Sequence, residues 1–397
     1  MMALLIVSGL VAMAWTALAV RFILLSRGPW FRFLGPSGQS GGPLPRVDAV
    51  VPARNEEEHI EATVEALRRQ DYPALTITVV DDESTDATAA ILDRLAAGDE
   101  KSIPLRFIRG ITRPGGWVGK TWAVHQGAEG TTASWIWFVD ADMGLHPEAL
   151  RAAVAEGEAA GADLVSFLPG VSCRTFWQGA IASSFLQLLG QLYPLDRVND
   201  PRRPEAIAAG GFLLVRRSAY ERAGGHSEVR HAIVEDIELA KRVKATGGVL
   251  LVRLAPALAW THMYGSFGQI WAGLRKNAYA GMDFMPHKFV TGAILAIFLA
   301  WSPWIAFLAG MATGEVGALA VGLWGILAQA LATAPILVFL RLPGSFAFTL
   351  PAGITAYVAI ATSSVWHYYR GRILWKGRAM PASVARRAPA SGMDQPS

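Results

Sequence analysis

Four long apolar runs decide what this chain can fold into. Residues 3–25 read ALLIVSGLVAMAWTALAVRFILL and carry one charge, Arg21. Near the other end, 289–311, 316–340 and 345–369 are apolar, parted only by short breaks such as ATGEVG and RLPGS. A bilayer core about 30 Å thick takes roughly 20 helical residues, and each run is long enough. The chain is 52% hydrophobic and only 17% charged, against about 25% charged in soluble domains. The depletion is local, because residues 46–265 hold most of the acids. The expected layout is a membrane anchor over 1–27, a soluble domain over 45–265, an interfacial segment over 266–287, a membrane region over 288–370, and a basic, partly disordered tail over 371–397.

The first run lacks a basic leader and is followed by Arg21, Arg27 and Arg32. That pattern favours an uncleaved anchor over a signal peptide and puts the next domain in the cytoplasm. The chain reads as a multi-pass protein of the cell inner membrane. A single cysteine, Cys173, excludes an intrachain disulfide and fits a reducing compartment. The net charge of +4 is met by arginines and lysines beside the apolar runs, so no nucleic-acid partner is expected. Residues 37–45 read as a linker.

The soluble part alternates strand and helix. RVDAVVPARNEEEHI starts as an apolar strand and breaks at Pro52; LTITVVDDESTDAT and SWIWFVDADM are further strands that end in acids. Helical spacing of Ile60, Val64 and Leu67 follows the first of them. This predicts an α/β fold with a mostly parallel, helix-covered sheet. Ligands of such sheets sit beyond the carboxyl ends of the strands. Asn55 with Glu57, Asp81 with Asp82, and Asp140 with Asp142 all fall at strand ends.

On an extended chain, Asp140 and Asp142 point to one side. Two close carboxylates repel unless a cation lies between them, and hard oxygen donors suit Mg²⁺ or Mn²⁺. The plain alternative is a helix-capping turn before HPEAL. Asp81, Asp82 and Asp86 can accept nucleobase N–H groups or ribose hydroxyls; Ser84 or Thr85 can equally cap the next helix. RPGGWVGKTWA resembles a phosphate loop but has Pro114 where the first glycine belongs, which excludes a P-loop NTPase. Lys120 still suits an anion. Gly210 and Gly211 let a ligand approach backbone, or make a turn. Glu235 and Asp236 head an amphipathic helix, where the dipole favours acids and is expected to keep Asp236 ionised. Residues 176–195 are uncharged and aromatic-rich, which suits either a core helix or the membrane interface.

VVPARNEEE, VVDDESTDAT, FVDADM and VEDIELAKR occur here in the order found in inverting family 2 glycosyltransferases of the GT-A fold, and residues 45–265 resemble that family. GWVGKTWA, LYPLDRVNDP and AAGGFLLVRRSAYERAGG are similar to hopene-associated membrane glycosyltransferases, with carotenoid glycosyltransferases close behind. The resemblance implies a nucleotide-sugar donor, most simply a UDP-sugar, a lipid-like acceptor and a divalent metal. It implies that Pro52, Ala53, Asn55, Glu57, Asp81 and Asp82 hold the nucleoside, with Lys120 near the donor. Asp140 would hold ribose and, with Asp142, the metal-bound diphosphate. Asp236 would be the general base, beside Glu235, and Gly210, Gly211 and Arg275 would lie on the acceptor side. Processive relatives carry Q-x-x-R-W after the base. This chain has Gln269 and then IWAGLRKN, so processive polymer synthesis is not expected. The hopene-associated pattern has two aspartates where Glu235-Asp236 stands.

Two other classes fit parts of the sequence. A nucleotidyltransferase also uses paired acids and metal. A nucleotide-sensing membrane protein would need only the binding residues. The topology also holds a conflict. Three C-terminal spans put the C-terminus outside, yet Arg370, Arg372, Lys376 and Arg378 favour the inside. The charges point to a cytosolic C-terminus, with one segment failing to span because Pro303 or Pro335 breaks it.

Overall fold

The computed structural model describes residues 2–36, 44–97, 103–261, 266–282 and 284–370, with two short strands, β11 (Leu374–Trp375) and β12 (Arg378–Ala379). Most of the expected linker at 37–45 and most of the tail after 370 lie outside the described residues.

Helix α1 (Met2–Ser26) precedes the soluble domain. The alternation then runs β1 (Val47–Ala53), α2 (Ile60–Arg68), β2 (Leu75–Asp81), α3 (Thr88–Ala96), β3 (Leu105–Arg109), α4 (Gly119–Ala128) and β4 (Trp135–Phe138). It continues with β5 (Met143–Leu145), α5 (Ala149–Ala160), β6 (Leu164–Leu168), β7 (Gly170–Val171), α6 (Phe176–Leu192) and α7 (Leu195–Val198). After these come β8 (Leu213–Arg216), α8 (Arg217–Arg222), α9 (Gly225–Glu228), α10 (Glu235–Ala245), β9 (Leu250–Leu254) and β10 (Ala259–Thr261). The remaining helices are α11 (Phe267–Ala278), α12 (Pro286–Thr313), α13 (Val316–Leu340) and α14 (Leu350–Tyr369).

Seven strands form one sheet in the order β3-β2-β1-β4-β8-β6-β9, with only β8 reversed. The period-two pattern of the strands builds two cores, one on each face. Ala49, Val51, Trp135 and Trp137 face α2 and α5, while Val50, Ile136 and Phe138 face α4 and α10. A smaller sheet, β5-β10-β7, flanks the first. The register β2–β1–β4 sets three carboxyl ends side by side, with Ala53 opposite Asp81 and Val50 opposite Phe138.

Among the described residues, α1, α12 and α13 are long and apolar enough to cross a membrane. The fourth apolar run does not make such a helix. Its start is a 3₁₀ turn (Gly344–Phe348), and α14 ends in the polar stretch Thr362, Ser363, Ser364 and His367. Pro303 and Pro335 break nothing, since both lie inside continuous helices. Pro303 removes the N–H that Leu299 O would accept. That carbonyl instead accepts from Trp15 Nε1 at 3.0 Å and Gln329 Nε2 at 2.9 Å. Side chains of α1 and α13 thus satisfy the group the proline frees.

The helix ends show how this bundle meets the soluble domain. Arg21 of α1 lies 3.6 Å from Asp196, and Phe339 and Leu340 of α13 pack against Ala182, Leu168 and Leu254. Tyr368 of α14 stacks on Phe284 at 4.8 Å, and Tyr279 accompanies them. The carboxyl ends of all three helices therefore lie at the domain.

Helix α6 starts at a capping box. Thr175 accepts from Gln178 N, and the Gln178 side chain accepts from Thr175 N at 2.7 Å. It does not lie under the large sheet. Ile181 packs with Ile270, Leu274, Tyr357 and Ile360 of α11 and α14. Its buried side also carries Gln178, Ser183, Ser184 and Gln187, while Phe176, Trp177 and Leu192 are exposed.

Candidate active site

The ends of β1 and β2 are laced together. Arg54, buried, donates to the carbonyls of Asp82 and Glu83, the latter at 2.9 Å. Asn55 N donates to Ser84 Oγ at 3.0 Å, and Asn55 Oδ1 accepts from Thr85 N at 2.8 Å. Asn55 and Glu83 both take left-handed backbone, φ 50° and 52°. Asparagine tolerates that region better than glutamate, so Glu83 marks a strained corner held by its neighbours. Glu57 Oε2 accepts from Ala87 N at 2.9 Å and so caps α3. Asp81, also buried, accepts from Ser84 N at 3.3 Å. Pro52 and Ala53 end β1 within this lattice, and Asp82 N donates to Ala53 O at 2.8 Å. Asn55 and Glu57 thus hold the loops, and Arg54, absent from the sequence-based set, ties them to β2. Its signal was a lone basic residue directly after an apolar strand.

The second cluster assembles from four segments. Lys120, in the first turn of α4, places Nζ 2.7 Å from Asp140 Oδ1 and 2.7 Å from Glu235 Oε1. Asp236 Oδ2 accepts from Gly210 N at 2.7 Å, and its Oδ1 accepts from Ile237 N at 2.8 Å. A Cβ on Gly210 would stand 3.0 Å from Lys120 Nζ, 3.2 Å from Asp236 Oδ2 and 3.5 Å from Asp140 Oδ2. Gly210 therefore needs to be small because charged groups close around it. Gly211 serves a different purpose, since its missing side chain makes room for Met143 Sδ, 2.7 Å from where a Cβ would sit. It is buried beside Met143.

Burial dominates the electrostatics. Desolvation alone would lower Lys120, but Asp140, Glu235 and Asp236 raise it well above the ordinary ammonium value, so it stays charged. Asp236 is pushed up to about 7, first by burial and then by Glu235, with Asp140 adding to it. Lys120 and the Ile237 amide oppose that rise without cancelling it. The expectation that the helix dipole alone keeps Asp236 ionised is thus corrected. Burial next to a second carboxylate outweighs the dipole.

Arg275 turns away from this cluster and meets His367 of α14 at 3.2 Å. The neighbouring Lys276 feels the cluster instead. Burial and then Lys120 lower its pKa, while Glu235, Asp140 and Asp236 oppose them. Adjacent helical residues point about 100° apart, so choosing between the two required knowing how α11 docks.

Asp140 and Asp142 do not share a strand. β4 stops at Phe138, and Ala141 and Asp142 form a turn. The same-side argument for an extended chain does not apply there. Asp140 reaches Lys120, and Asp142 accepts from Thr261 Oγ1 at 3.5 Å. No group of three His, Cys, Asp or Glu side chains able to hold a metal occurs among the described residues. Two partly exposed carboxylates with oxygen donors alone fit a cation such as Mg²⁺ or Mn²⁺, which keeps waters and takes substrate phosphate oxygens.

A mostly parallel sheet with acids and a lysine gathered at its carboxyl ends is an architecture of the GT-A type. Residues 48–224 match the family model described as Glycosyl transferase family 2. The chain carries a family 2 glycosyl transferase domain. It is 25% identical over 252 residues to 4,4'-diaponeurosporenoate glycosyltransferase of Staphylococcus aureus (strain USA300), covering 63% of this chain. It spans 65% of that relative's length, just under two thirds. The mannosyltransferase PcManGT from Pyrobaculum calidifontis, solved in complex with GDP-Man and Mn²⁺, matches with a TM-score of 0.57 at 19% identity. The match covers 91% of this chain and 99% of that one. At that identity the likeness shows the fold.

Proposed function

We propose that this protein is a membrane-embedded inverting glycosyltransferase that moves a sugar from a nucleoside-diphosphate sugar, expected to be a UDP-sugar, to a lipid-like alcohol of the hopanoid type. One observation carries the reading. Asp236, partly buried, accepts from Gly210 N beside a Lys120–Asp140–Glu235 cluster at the carboxyl ends of the sheet. Its pKa near 7 suits a general base at neutral pH. The acceptor hydroxyl would give its proton to Asp236 while its oxygen forms a bond to the anomeric carbon. The bond from that carbon to the diphosphate oxygen would break, and the nucleoside diphosphate would leave. Lys120 and Lys276 would bring positive charge towards the departing diphosphate. Asp81 and Asp82 would meet the nucleoside, with Asn55, Glu57 and Arg54 holding their loop. Asp142 and Asp140 would hold Mg²⁺ or Mn²⁺, which when bound neutralises phosphate charge.

The membrane side of the reading rests on two features. Arg27, Lys288, Arg341 and Arg370 follow or begin helix ends on the domain side, which supports a cytoplasmic domain and C-terminus in the inner membrane. Phe176, Trp177, Phe267 and Trp271 form an aromatic ridge, with Trp177 and Phe267 5.5 Å apart. Along α11 the ridge runs from about 13 Å (Phe267) to about 7 Å (Trp271) from Lys276, at about 1.5 Å per residue. Exposed aromatics suit a membrane interface, and a lipid would enter there.

The diaponeurosporenoate relative favours a second reading, in which the acceptor is a carotenoid-type carboxylate. An ionised carboxylate needs no base, so Asp236 would then position Gly210 and tune charge. The deciding experiment supplies the purified full chain in lipid nanodiscs with radiolabelled UDP- or GDP-sugars and cell lipid extract, with and without EDTA. Label entering the organic phase in a metal-dependent manner supports the proposal. Release of free sugar alone, or labelling from nucleoside triphosphates, contradicts it.

A further inference from the structure

Helix α6 buries amides where its surroundings are apolar. Gln187 is 2% exposed, and no protein group among the described residues hydrogen-bonds its Oε1 or Nε2. Gln191 Nε2 shares that condition. The two residues are one helical turn apart on one face. Both line a cavity of about 200 Å³ where α6 meets α1, α12 and α14, walled by Trp15, Leu18, Leu299 and Ile354. Trp15 cannot serve them, because its Nε1 donates to Leu299 O. A buried amide left unpaired costs free energy that native structures rarely accept without a reason.

We propose that this cavity binds one end of a membrane-resident, uncharged apolar molecule through a single hydroxyl group seated between Gln187 and Gln191. Gln187 offers one acceptor and a donor group, and Gln191 offers a further donor. A hydroxyl donates once and accepts up to twice, which matches that set. A carboxylate would leave Gln187 Oε1 unmet, and an ammonium would leave both amide N–H groups unmet. No charged side chain lines the cavity, so a neutral ligand suits it. The volume is below the roughly 300–1,000 Å³ of whole-ligand pockets, so it takes an end and not an entire lipid. The hydroxyl-bearing molecule has two sources, the acceptor class of the proposed reaction or a bilayer alcohol such as diacylglycerol. Only the choice of source rests on the proposed function; the site does not.

The test is photolabelling of the full chain in phosphatidylglycerol–phosphatidylethanolamine nanodiscs. The probes are hexadecanol and hexadecane, each carrying a diazirine, with labelled peptides mapped by mass spectrometry. Hexadecanol is expected to label the α1 and α6 peptides at the cavity about tenfold more than hexadecane, equivalent to about 1.4 kcal/mol. Gln187→Leu with Gln191→Leu should abolish that preference. Equal labelling by the two probes, or an undiminished preference in the double variant, overturns the proposal. If the double variant fails to fold, competition on the unaltered protein decides. Unlabelled hexadecanol should compete and hexadecane should not; the reverse, or no competition, overturns the site. Dioleoylglycerol and a polycyclic triterpene alcohol, used as separate competitors, identify the source. Failure of both overturns the proposal. None of these readouts requires sugar transfer, so this site and the proposed reaction fail separately.

Discussion

Gly210 N donates to Asp236 Oδ2 across 2.7 Å, and a Cβ on that glycine would stand 3.0 Å from Lys120 Nζ. One backbone position therefore holds the carboxylate while touching the lysine. Gly210→Ala forces those groups apart by a few tenths of an ångström. Small misplacements of reacting groups cost up to about 10² in rate. The variant is expected to lose about tenfold or more in kcat with a nearly unchanged melting temperature. A kcat within twofold of the unaltered enzyme contradicts this role.

Asp236 also predicts a pH profile. Its carboxyl is pushed up to about 7, first by burial, and only the deprotonated form is a base. With a hydroxyl acceptor, kcat/KM should rise with unit slope below about 7 and level off above it. The stability effect has the opposite sense. Between about 4, the unfolded value, and about 7, the folded state binds more protons than the unfolded state. Asp236 therefore contributes stability at low pH that is lost as pH rises through that window. Asp236→Asn should flatten this dependence and melt higher than the unaltered protein at pH 8. Thermal melts at pH 5 and pH 8 check both signs.

Lys120 is the counter-charge of the cluster. Lys120→Met leaves Asp140 and Glu235 without it, and breaking a buried pair costs about 3–5 kcal/mol. Lys120 is one-fifth exposed, so a loss of about 3 kcal/mol in chemical denaturation is expected. Because Lys120 opposes the rise at Asp236, the acid limb of the rate profile should also move to higher pH. An unmoved limb would show that Lys120 acts only on stability.

Helix α6 separates an exposed aromatic from a packed leucine. Trp177 is 40% exposed in the aromatic ridge, whereas Leu189 packs against Val198, Ile207 and Val252. Trp177→Glu should leave the melting temperature within a few degrees and lower transfer to lipid acceptors relative to donor hydrolysis. Leu189→Glu should lower the melting temperature clearly more, because it sets a charge against an apolar cluster. An equal loss in both would make the ridge part of a core.

The sheet was legible because strand alternation and acidic strand ends are local signals, and β1, β2 and β4 fall where VDAVVPA, LTITVVD and WIWF read as strands. Lys120, Asp140, Glu235 and Asp236 were legible as residues, but their shared site depends on how α4 and α10 pack. The roles of Asn55 and Glu57 as loop ties were hidden, since a side chain that bonds backbone N–H groups 30 residues away leaves no pattern. The rise at Asp236 was hidden too, because burial is a property of packing and not of the helix start. The fourth apolar run misled by length alone; only the 3₁₀ turn and the packing of α14 on α6 and α11 show that it differs from α12 and α13.

The most direct test of the account measures single-turnover sugar transfer to a lipid alcohol by the Asp236→Asn protein, with donor binding followed in parallel. The account predicts donor affinity within about threefold of the unaltered enzyme and transfer reduced by about 10² or more, with the acid limb gone. Near-normal transfer with the limb intact would contradict it and move the base to another residue.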